Sequence, residues 1–107
     1  MDNPTPVQDI AMRLVFQFMG ERRENRTYEE YMDIARRLPP LKQLHYHVNV
    51  LLQSEHDSGW PLPEICRFKA GDKIIRFEPY PRTISYETLR AALVNYGMRK
   101  PRWAAAA

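Results

Sequence analysis

One cysteine, Cys66, is present among 107 residues. A lone cysteine can form no internal disulfide and build no multi-cysteine zinc site, and is expected as a small buried apolar residue. No run of about eighteen apolar residues occurs, which excludes a transmembrane helix. No secretory leader is expected either: "MDNPTPVQDI" is acidic and polar where a signal peptide is basic and then apolar, so a cytoplasmic location is expected. Internal repeats are absent, and the one low-complexity tract, "AAAA" at 104–107, reads as vector-derived, which leaves 1–103 as a single domain.

What is present describes a folded chain with a modest core. A composition 44% hydrophobic and 27% charged is that of a globular protein rather than a disordered one. The formal net charge of +3 biases the molecule mildly toward anionic partners, and the basic residues concentrate in "RR" at 36–37 and "RKPRW" at 99–103.

Periodicity and punctuation divide the chain. Thr5 with Gln8 forms a capping-box pattern, and Val7, Ile10, Ala11, Leu14, Val15 and Phe18 follow at helical spacing until Gly20 stops the helix. Thr27 with Glu30 repeats the pattern, and Tyr31, Ile34, Ala35 and Leu38 make a second stripe that Pro39 and Pro40 end. Beyond "HDSGWPLP", the runs "EICRFK" and "KIIRFE" flank a glycine-containing turn and predict a hairpin. Ser85 then caps a helix with Leu89, Ala92, Leu93 and Tyr96 on one side and Gly97 at its end.

The stretch "LHYHVNVLL" at 44–52 admits two readings. Alternation puts Leu44, Tyr46, Val48, Val50 and Leu52 on one side of a strand; helical spacing instead links Leu41, Leu44, Val48 and Leu51. The apolar stripe begins upstream at Leu41, and Pro40 can open a helix but supplies no hairpin turn. The helix is therefore preferred, giving an α+β domain of order α-α-α-β-β-α, with α-α-β-β-β-α as the alternative.

"TYEEYMDIARRL" followed by "LKQLHYHVNVLLQSE" resembles the second and third helices of winged helix-turn-helix regulators, and "LHYHVNVLLQSE" is similar to the recognition helix of the ArsR-like group. The resemblance covers about residues 27–78 and implies a small winged-helix domain that binds double-stranded DNA, with 41–53 as reader and 64–78 as wing. It departs from the family in its Pro-Pro turn and in lacking metal-sensing cysteines, so a metal switch does not carry over. "RTYEEYMDIARRL" and "PLPEICRF" also resemble, more loosely, the alkyltransferase-like DNA-lesion binders, with Tyr28 in the place of their backbone-contacting tyrosine. The reactive Pro-Cys-His-Arg segment of that family is missing, so no alkyl transfer is implied.

On a helix, Lys42, Gln43, Tyr46, His47, Asn49, Val50 and Gln53 lie off the buried stripe. Of these, Lys42, Gln43, Tyr46, His47 and Asn49 are the candidate DNA contacts, since amides can read base edges and lysine can meet phosphate or guanine. The hairpin adds Arg67, Lys69, Lys73 and Arg76 for a phosphate backbone. Glu29, Glu30, Asp33 and Glu55 lie near this face and oppose phosphate. His45 and His47 point to different sides of a helix, so no metal site, cofactor or catalytic group is expected. The expected function is a non-enzymatic DNA-binding regulator, with a homodimer compatible. The competing expectation is a small protein-interaction module that modulates a partner, anchored by aromatics such as Trp60, Trp103 and the tyrosines.

Overall fold

A computed structural model describes residues 4–99; the basic segment after Arg99, Trp103 and the alanine tail lie outside the described residues. The elements are α1 (Pro6–Met19), α2 (Tyr28–Arg36), α3 (Leu41–Asp57), β1 (Ile65–Ala70), β2 (Lys73–Pro79) and α4 (Tyr86–Asn95). This is the α+β class and the helix-first order expected from the sequence. The two strands form an antiparallel two-stranded sheet.

Local chemistry sets the helix ends. In α1 the Gln8 backbone N–H donates to Thr5 Oγ1 at 3.1 Å while the Thr5 N–H donates to Gln8 Oε1 at 3.2 Å. Thr27 and Glu30 do the same for α2, both at 3.2 Å. Gly20 ends α1 at φ 69°, a left-handed conformation that glycine adopts without a Cβ penalty. Pro40 stands at the N-cap of α3, immediately before its first turn, and offers that helix no side-chain hydrogen bond.

Helix α1 is the central element, packed against α3, α4 and both strands. That position explains a difference from the expected stripe. Met12 and Phe16 are buried along with Ile10, Ala11, Leu14 and Val15, because neighbours surround α1 on several sides. Phe18, expected in the core, is instead exposed. In α3 the fully buried stripe is Leu44, Val48 and Leu52, while Leu41 and Leu51 are half-buried. Helix α2 docks through buried Ile34 and through Tyr31, whose hydroxyl donates to the Tyr96 carbonyl at 2.8 Å.

Candidate functional site

The polar residues of α3 divide into two groups with different tasks. One group faces the connector between β2 and α4, which runs back along the helix. His56 Nε2 lies 2.9 Å from the Pro81 carbonyl oxygen, and His45 Nε2 lies 2.7 Å from that of Ile84. Because a carbonyl only accepts, both imidazoles are donors at Nε2. Between them, Asn49 accepts from the Ile84 N–H at 2.8 Å and donates to the Ile84 carbonyl at 2.9 Å and to the His45 carbonyl at 3.0 Å. The amide of Asn49, expected to read a base edge, is thus used inside the molecule.

A second tie fixes the far end of α3. Arg13 on α1 grips Glu55 through both carboxylate oxygens, at 2.7 and 2.9 Å, and its guanidinium also donates to the Tyr80 hydroxyl at 3.3 Å. The hydrogen-bonded guanidinium holds the Glu55 carboxyl below its ordinary range, against the opposing effect of burial. Glu55 is therefore a neutralised carboxylate, and the repulsion of phosphate expected from it is offset by Arg13.

The other side of α3 carries a surface of different character. Phe18, at the end of α1, stacks on His47 with ring centroids 4.4 Å apart and planes 18° from parallel. Tyr46 meets the edge of the same imidazole at 5.5 Å. Val50 lies one turn beyond Tyr46 on the same helix face. Tyr46 is 66% exposed and Val50 47%, and with Phe18 they form an apolar, aromatic surface. Lys42, Gln43 and Gln53 flank it and are all exposed.

No family model, curated protein or solved structure matches this chain.

Of the residues expected to contact DNA, Lys42, Gln43 and Tyr46 share the outer side of α3, with His47 half-buried against Phe18. Arg67, Lys69, Lys73 and Arg76 are exposed on the hairpin, which packs against α1. They do not share one face: Arg76 pairs with Phe68 on the side of Cys66, whereas Arg67 and Lys69 lie on the opposite side. None of these four, nor Lys42, forms a salt bridge with a described carboxylate; Arg13, Arg23, Arg26, Arg36, Arg37 and Arg90 all do.

Sequence reasoning places Val50 off the buried stripe without giving it a contact, and places Phe18 in the core. Phe18 fits the helical stripe of α1 and carries no signal that the helix outlasts its cover. The signal for Val50 is that it belongs to the alternating pattern of 44–52 yet lies off the helical stripe, so on a helix it faces elsewhere.

Other features offer little chemistry. A depression of about 310 Å³ is lined by His56, Leu62, Pro63, Glu64, Tyr80 and Arg82, and one of about 440 Å³ by the ion-paired side chains around Glu21, Arg26 and Arg37. Neither lining includes a serine, threonine or cysteine. The Cys66 thiol is half-buried against the carbonyls of Glu78 and Pro79, and burial together with the Glu78 charge pushes its pKa up, away from the reactive thiolate. Among the described residues no cluster of three His, Cys, Asp or Glu side chains is arranged to hold a metal ion. No helix of the described residues is long and apolar enough to cross a membrane.

Proposed function

We propose that this chain is a non-enzymatic protein-interaction module that docks a folded partner against the outer face of α3 and the end of α1. One observation carries the reading. The helix that resembles a DNA reader commits His45, Asn49 and His56 to internal hydrogen bonds and presents Tyr46 and Val50, beside Phe18 and His47, to solvent. An apolar, aromatic centre with a polar rim is the composition of a protein interface core. Rigid aromatic anchors supply much of the binding energy at such sites.

The experiment is affinity capture followed by reconstitution of the pair from purified components. Tyr46→Glu with Val50→Glu abolishes reconstituted binding, whereas Lys73→Glu leaves it intact. A partner bound equally well by both variants contradicts the reading. So does a homodimer in sedimentation that Tyr46→Glu dissociates, because it assigns the face to a second copy of the chain.

A second reading, a winged-helix DNA-binding regulator, is favoured by a separate observation. Lys42, Arg67, Lys69, Lys73 and Arg76 lack a described carboxylate partner, and the hairpin follows α3 in winged-helix order. Tyr28, at the first turn of α2 and 78% exposed, is accessible as the weaker alkyltransferase-like resemblance requires. Titration with random duplex DNA at two salt concentrations distinguishes the readings. Binding that weakens steeply with salt supports DNA; no binding at low salt removes it.

A further inference from the structure

The hairpin has two faces of different composition. Direct pairing sets Ile65 opposite Pro79, Arg67 opposite Phe77 and Lys69 opposite Ile74, so these residues share one face. The other face holds Cys66 and Phe68 opposite Glu78 and Arg76. Cys66 packs against the core cluster and Phe68 is half-buried, so this second face is turned inward.

A bulge sharpens the difference. The register shifts between Phe68 and Lys69, which leaves Ile75 as an extra residue on β2. Strict alternation from Phe77 would put Ile74 on the inner face with Arg76 and Glu78. The extra residue instead brings Ile74 to the outer face beside Lys69. There Ile65, Ile74 and Phe77 are 56%, 42% and 62% exposed.

The charges on this outer face are of one sign. Arg67 and Lys69 are exposed and form no salt bridge with a described carboxylate. The hairpin's own acids lie elsewhere: Glu64 precedes β1, Asp72 is in the turn and Glu78 is on the inner face. Two cations beside three apolar side chains, with no carboxylate among them, are complementary to an acidic chain that also carries apolar groups.

We infer that the outer face of the hairpin is a docking surface for an acidic polypeptide segment bearing aliphatic or aromatic side chains. Carboxylates of the segment pair with Arg67 and Lys69, and its apolar side chains cover Ile65, Ile74 and Phe77. A nucleic-acid strand fits less well, since stacking uses successive aromatic side chains and this face has one ring between aliphatics. A lipid surface fits less well, since recognition of anionic headgroups draws on clusters of about four to eight cations. The surface is separate from the outer face of α3 and stands independently of the docking function proposed above; it competes with the DNA reading for Arg67 and Lys69.

The test is titration of the full chain with a short peptide alternating glutamate with leucine and phenylalanine, followed by backbone amide shifts. The expected result is saturable binding with shifts centred on 65–79, weakened about ten-fold or more by Arg67→Glu with Lys69→Glu and by Phe77→Ser. Circular dichroism of these variants matches the parent, and Tyr46→Glu does not change the affinity. Any of four outcomes overturns the inference: no binding; shifts centred on α3; equal affinity for polyglutamate without apolar residues; or tighter binding of a single-stranded oligonucleotide or of anionic vesicles.

Discussion

Asn49 and Ile84 are joined through both ends of one amide, the side-chain oxygen accepting from the Ile84 N–H at 2.8 Å and the side-chain nitrogen donating to its carbonyl at 2.9 Å. Ile84 is itself 1% exposed and stands just before the N-cap of α4. The pair therefore splices the entry of the last helix onto the middle of α3.

Replacing Asn49 by alanine leaves the Ile84 N–H without its partner beside the core. The expected loss is about 2 kcal/mol of unfolding free energy, the usual cost of stranding a buried polar group. Urea denaturation measures it. An Asn49 that served only to read DNA would leave the midpoint unchanged.

The Arg13–Glu55 pair makes stability depend on pH at the acid end. The folded carboxyl is held below its unfolded value of about 4.3, so its contribution is fully present above that pH and is lost as pH falls through the lower folded value. Glu55→Gln removes this component. The variant is expected to show a shallower fall in thermal midpoint below about pH 4.3 than the parent.

Tyr96 acts at the alkaline end. Burial first, then the Asp9 charge and the hydrogen bond donated to Asp9 Oδ1 at 3.0 Å, raise its pKa well above the ordinary value. A raised folded pKa means that stability is fully present below the unfolded pKa of about 10 and declines as pH rises beyond it. Tyr96→Phe is expected to lose the neutral-pH hydrogen bond but to flatten that alkaline decline, as read from denaturation midpoints across the range.

The helices were open to sequence reading because their signals are local. Thr5 with Gln8, Thr27 with Glu30, and Ser85 each satisfy the first turn by contacts three residues apart, which any short window contains. The ambiguity of 44–52 also has a physical source. Leu44, Val48 and Leu52 are four residues apart and satisfy a helical stripe and an alternating strand equally. Tyr46 and Val50 decide between them: a strand would bury both with that stripe, and the helix leaves both in solvent. What sequence could not supply were long-range partners. Asn49 and Ile84 are 35 positions apart, Arg13 and Glu55 are 42, and nothing in the intervening sequence announces either contact. Asn49 is therefore expected from sequence to face outward, although it faces the connector.

The outer face of α3 is tested most directly by placing a photo-crosslinking benzoylphenylalanine at position 46 in cells that make the protein. The account predicts a discrete protein adduct from position 46 and none from the same residue at Arg36, an exposed site on α2. An adduct to nucleic acid from position 46, or no adduct to a second protein there, would contradict it.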